Sequence, residues 1–249
     1  MYRIIMNLQE YTHNISGTIC LILGYLLACV LFVLVIGPMH NAIKGRAAWS
    51  NGDEWVAENG YLSMNPKMSF HWIGLLSVVV TRLGFTKRVR YRQRYFDAPV
   101  LGTIWLSLSG ILTYLLCSAI LVFFCTLMGR VNSFDITSPT IVPQEQLPFF
   151  GCVFHTSFAM VFYASRMCIY SALFNLIPIA PMDMGEILFL LIGKHWSDVI
   201  KKNDLFISVG LFLLAFFVLG MPDSFVVTFS TDIITMMSSA FNFIINIFL

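Results

Sequence analysis

The chain has 249 residues, 58% of them hydrophobic and 11% charged, with a formal net charge of +2 and a mean hydropathy of +0.80. A water-soluble domain carries about 45–50% apolar and about 25% charged residues, so composition excludes an ordinary soluble domain. The net charge is small, but the positive charge is very unevenly distributed, and that distribution matters more than the sum. The six cysteines, Cys20, Cys29, Cys117, Cys125, Cys152 and Cys168, fall in or beside apolar runs with no two-residue spacing between any pair. They read as packing residues in helices, with neither a disulfide framework nor a metal cluster indicated.

A helix needs about 20 apolar residues to cross the hydrocarbon. The first such run, within 15–38, is longer than the core of a secretory signal. It ends in Gly37-Pro38-Met39-His40 with no small-residue cleavage pattern, so it is expected to be retained. Next come Asn51-Gly52 and Asn59-Gly60, turn signals that predict a small cytoplasmic β-hairpin over about 48–66, with its acids as solvated turn residues. The apolar stretch 69–85 is interrupted by His71 and Arg82 and is expected to be re-entrant or interfacial. The alternating Arg88-Val89-Arg90-Tyr91-Arg92-Gln93-Arg94 reads as an anchor to anionic lipid rather than to nucleic acid. Further helices are expected over 100–128, 149–176, 204–221 and 224–248. The fold class is thus an all-α integral membrane protein, one membrane domain over 1–249, with about five or six spans, a re-entrant segment and the hairpin.

Nine of the 15 Lys and Arg residues lie between Lys44 and Arg94, and Lys194, Lys201 and Lys202 form a second group. The positive-inside rule places both groups in the cytoplasm, with the N-terminus outside and the C-terminus inside; if 69–85 spans, the N-terminus moves inside. Two segments then share the cytoplasmic side. One is Gly37-Pro38-Met39-His40-Asn41-Ala42-Ile43-Lys44, and the other is Asn175-Leu176-Ile177-Pro178-Ile179-Ala180-Pro181-Met182-Asp183-Met184-Gly185.

The second segment is similar to the Asn-x-x-Pro-x-x-Pro-x-Asp-Gly run of the site-2 proteases, intramembrane zinc metalloproteases. Gly52-Asp53 and Leu62-Ser63-Met64-Asn65-Pro66 match the family's spacing downstream of its His-Glu-x-x-His motif, and Ser107-Leu108-Ser109-Gly110 is a weaker third match. The resemblance runs from about residue 20 to the end and is nearest the compact bacterial members without a PDZ domain. It implies a multi-pass protein of the bacterial inner (plasma) membrane. It also implies His40 and Asp183 at metal-ligand positions, Asn41 at the general-base position and Lys44 at the third-ligand position.

Asn41 cannot take up a proton at any useful pH. Lys44 brings a positive charge where zinc would need a lone pair. The nearest substitute ligand is His71; His155 is too far along its helix, and His13 and His195 read as surface or packing residues. A Lys44–Asp183 ion pair in place of the metal is one expectation, and a snorkelling Lys44 beside a solvated Asp183 is the other. Arg166 is expected to face a polar interior, toward Asp183 or Asp232.

The leading reading is a catalytically inactive pseudoprotease that binds the lipid bilayer and the transmembrane segment of a client or partner, with no nucleic acid. No cofactor is expected unless the family activity survives, in which case it is Zn2+. The alternatives are an active zinc protease with rearranged ligands and a small unrelated transporter or channel.

Overall fold

The structure is a computed structural model that describes residues 15–132, 149–179, 182–192, 199–200, 202–220 and 225–248. The described residues are helical apart from turns, loops and one isolated bridge. Helix α1 (Ile15–Leu31) runs through a wide π turn, Phe32–Ile36, into α2 (Gly37–Ser50). Pro38 explains the wide turn, because it has no N–H for Leu34 and its ring would strike that carbonyl. The extra residue of the π turn absorbs the clash, and the Gly37 N–H donates to Phe32 O. A side chain at Gly37 would overlap the Phe70 ring, so only glycine lets the two segments approach.

Two single-turn helices follow, α3 (Trp55–Glu58) and α4 (Pro66–Ser69). They take the place of the expected hairpin, since there is no strand among the described residues. The Asn-Gly pairs close helices instead. Asn51 and Asn59 cap α2 and α3, and Gly52 (φ 104°) and Gly60 (φ 76°) take the left-handed conformation that ends a helix. Asn-Gly suits both jobs, and no apolar alternation beside it favoured a strand. Asp53 is also not a solvated turn residue. It is 1% exposed and accepts the Arg92 N–H at 2.6 Å, fastening the basic segment to the end of α2.

Helix α5 (Trp72–Thr81) is ten residues long and ends at Arg82, which adopts a left-handed φ of 62°. The chain then doubles back until Thr86 bridges Phe70 and the Lys87 N–H donates to Ser69 O at 2.7 Å. Entry and exit of the segment therefore lie side by side. At its tip the Arg82 guanidinium rests between the rings of Tyr25 and Tyr163, at 5.6 and 5.3 Å.

The long helices are α6 (Pro99–Asn132) and α7 (Phe149–Asn175), followed by α8 (Gly185–Leu191), α9 (Asp204–Gly220) and α10 (Phe225–Phe248). Close contacts fix their directions. Gly24 lies against Thr156 and Ala159, and Tyr25 meets Tyr163 at 5.3 Å, so α1 and α7 run parallel. Ser118 donates to Ser165 O at 3.3 Å while Gly110 abuts Asp183, so α6 runs against α7. Thr126 meets Ser238 at 3.4 Å, and Arg130 binds Asn242 and Asn246 at 2.8 and 2.7 Å, so α10 runs with α6. The start of α1 and the end of α10 thus share one end of the bundle, opposite to α2. The expectation of opposite sides for the two ends, which rested on loop charge and on the count of spans, thus does not hold for the start of α1 and the end of α10.

Among the described residues, three helical stretches are long and apolar enough to cross a membrane: Gly17–Ser50, Pro99–Arg130 and Phe150–Asn175. Helix α9, with 17 residues, is shorter, and α10 carries Asp232 and several hydroxyl residues, so the lengths do not give five or six spans. The core is built from Phe32, Tyr114, Phe158, Met167 and Cys168. Outward residues are apolar as well: Leu116, Ile120 and Phe124 of α6 are 64%, 58% and 51% exposed. A helix apolar on both faces suits hydrocarbon rather than water.

Candidate functional site

Helix α2 puts His40 and Lys44 one turn apart on the same face. Asp183 comes to them from the connection between α7 and α8. Asn175, the last residue of α7, holds that connection in place: its side-chain oxygen accepts the Asp183 N–H and its carbonyl accepts the Met184 N–H, both at 3.1 Å. The third wall is α6, where Gly110 leaves the necessary gap. A Cβ there would overlap Asp183 Oδ2 and lie 2.7 Å from His40 Nε2.

Within this enclosure Lys44 Nζ donates to Asp183 Oδ1 at 2.6 Å, and His40 Nε2 lies 2.9 Å from Asp183 Oδ2. All three side chains are 1–2% exposed. The other face of the imidazole is fixed too. Its Nδ1 is 3.1 Å from Asn41 Oδ1 and 3.4 Å from Thr86 Oγ1, and its ring stacks on Tyr114 at 4.4 Å. Asn41 is also engaged through Nδ2, which donates to Lys87 O at 3.2 Å. Burial works against the charge on Asp183. The Lys44 ammonium and then His40 outweigh it and bring the carboxyl down to about 2.

The geometry selects the ion pair over a snorkelling lysine. It also bears on zinc, which the family resemblance implies. A catalytic zinc takes about three protein ligands and one open position. Here both carboxylate oxygens are occupied by cationic or ring N–H partners, and the residue one turn from His40 offers an ammonium. Among the described residues no group of three His, Cys, Asp or Glu side chains is placed to hold a metal. His71 caps the start of α5 and joins no such group. The residues present do not fit a catalytic zinc.

Other expectations fall elsewhere. Arg166 lies over the Phe162 ring at 4.7 Å and reaches Thr231 at 3.5 Å, so it packs against α10 rather than the site. His155 is buried near the start of α7, toward the opposite end of the bundle. His13 and His195, and Lys194 and Lys201 of the second basic group, lie outside the described residues.

The structure also reveals partners that the motif matching did not reach. Tyr114 is fully buried against His40, and nothing distinguishes it in an apolar run. Glu186, one turn beyond Asp183, is 1% exposed; it accepts the Tyr91 hydroxyl at 3.0 Å and meets Arg88 at 3.4 Å. Burial first, then Glu186, pushes the Tyr91 hydroxyl up, so it remains the donor. An acid three residues from a buried Asp in a run as apolar as 184–191 was a readable signal. The basic segment is therefore pinned by buried acids at Asp53 and Glu186.

The chain is similar to a bacterial protein described as a zinc metalloprotease. That relative, "Putative zinc metalloprotease YwhC" of Bacillus subtilis (strain 168), shares 23% identity over 154 residues, 62% of this chain and 64% of the relative. The chain thus spans less than two thirds of the relative's length. No family model and no solved structure matches. The relative's description agrees with the resemblance to the site-2 proteases, while the donor set of this chain departs from it.

Proposed function

We propose that this chain is a multi-pass inner-membrane protein of the site-2-protease type that does not hydrolyse peptides and instead holds transmembrane segments of a client or partner. The observation that carries the reading is the Lys44 ammonium, 2.6 Å from Asp183 Oδ1, at the position where the family resemblance calls for a third ligand. A cation bonded to the ligand carboxylate opposes a zinc ion at the same place. Asn41 leaves no general base beside it. In this reading α1, α6 and α7 form the spanning scaffold, α10 (24 residues) lies in the membrane alongside α6 through the Thr126–Ser238 and Arg130–Asn242 contacts, the segment 69–85 is re-entrant, and the ion pair ties α2 to the α7–α8 connection.

The test is co-reconstitution of the full chain with single-span test proteins in vesicles. The expected result is association without cleavage. Cleavage within the span that disappears in an Asp183→Ala variant would replace this reading with an active protease.

A further inference from the structure

Helix α10 has an outward face of unusual composition. Thr228, Asp232, Thr235, Ser239 and Asn246 are all exposed, and their spacing of four, three, four and seven residues puts them on one stripe. An apolar shoulder of Phe229, Met236 and Phe243, 41%, 73% and 68% exposed, runs alongside. Asp232 is the only charged residue of α10.

Its depth follows from the contacts with α6. Arg130, near the end of α6, binds Asn242, ten residues beyond Asp232. At about 1.5 Å per residue, Asp232 lies about 15 Å below that end, near the middle of a hydrocarbon layer about 30 Å thick. Among the described residues it has no ion-pair partner. Among the described residues, Lys44 is bonded to Asp183, Arg82 lies between Tyr25 and Tyr163, and Arg166 lies over Phe162 with a bond to Thr231. A carboxylate facing lipid at mid-depth is costly, and such groups are found paired.

We infer that the Asp232 stripe of α10 is a docking face for a transmembrane helix that carries a lysine or arginine near its centre. Charge complementarity selects this occupant. A second copy of the chain meeting the same stripe across a two-fold axis would set Asp232 against Asp232, which repels. The small hydroxyl residues on either side of the acid allow close helix approach, and the aromatic and Met shoulder supplies packing area. The inference rests on the proposed role of holding transmembrane segments, and it specifies the face used and the chemistry of the partner.

The test uses the labelled full chain in zwitterionic bicelles and two synthetic helices of about 20 leucines, one with a central lysine and one without. Association is read by energy transfer for the wild type, Asp232→Asn and Asp232→Leu, with helix content and gel filtration confirming the fold. The lysine helix is expected to bind the wild type about tenfold more tightly than the all-leucine helix, the order of one polar contact between membrane helices. Asp232→Leu should remove that difference, and Asp232→Asn should keep a small part of it. Equal binding of both helices by the wild type overturns the inference, as does undiminished lysine-helix binding by Asp232→Leu; in either case a scaffold that binds helices through another face stands. Binding of neither helix overturns the inference and the scaffold reading together. Energy transfer between copies of the chain that is lost in Asp232→Leu would assign the face to self-association and overturn it too.

Discussion

Replacing Lys44 by Met removes the ammonium and nearly preserves side-chain volume, so the change isolates charge from packing. In the wild type Lys44 and Asp183 are each 2% exposed and 2.6 Å apart. At an effective dielectric of about 20 the direct attraction is roughly 6 kcal/mol, most of it offset by the desolvation of both groups. Losing one partner leaves Asp183 buried with His40 alone, which is expected to cost about 3–5 kcal/mol of stability. The fully buried Cys168 gives a convenient readout, because its alkylation in detergent reports unfolding. The Lys44→Met, Asp183→Leu double variant should recover part of the loss, since an apolar pair of similar volume leaves no buried charge behind. A Lys44→Met variant within about 0.5 kcal/mol of the wild type would refute the ion-pair account, because that is the range of surface substitutions.

The pH dependence follows from the same pair. Asp183 has a folded-state value of about 2, below its ordinary 3.8, so its contribution is complete above pH 3.8 and is lost as pH falls toward about 2. Thermal unfolding in an acid-tolerant detergent should show that decline in the wild type and not in the double variant. Gly110→Ala drives a methyl group into Asp183 Oδ2 and His40 Nε2, and overpacking of that kind costs about 1–3 kcal/mol by the same alkylation assay. Asp53→Ala frees the Arg92 N–H, and trypsin should then cut faster among Arg88, Arg90, Arg92 and Arg94. Gly24 lies against Thr156, and Cys20 and Cys152 stand one turn earlier on the same two parallel helices, so a mild oxidant should link α1 to α7 within one chain. Cys152→Ser should abolish the link, and failure of the wild type to cross-link would contradict the parallel packing of the two helices.

Composition and apolar runs were enough to read an all-helical chain with long apolar helices, because burial in hydrocarbon leaves few residue choices. The register between Gly52-Asp53, Asn65-Pro66 and the preceding helix singled out His40 and Lys44, and the Pro-rich run singled out Asp183. Their contact depends on Gly110, visible in the sequence only as a small residue in a third motif. The hairpin was misread because Asn-Gly serves helix caps and tight turns equally well. Asp53 was misread because its partner, the Arg92 backbone, is remote in sequence. The direction of α10 was illegible from loop charge, since it is set by Arg130 reaching Asn242 and Asn246 across the bundle. Tyr114 gave no signal in its apolar run, and Glu186 gave only that of an acid among apolar residues; packing alone shows what they touch.

The central claim is that Lys44 takes the place of a metal at Asp183. Metal content of the purified full chain by mass spectrometry, beside Asp183→Ala, tests it most directly. The expected result is no zinc in stoichiometric amount in either protein. Near-stoichiometric zinc in the wild type that is lost in Asp183→Ala would contradict the account and require a ligand set other than the one His40, Lys44 and Asp183 form.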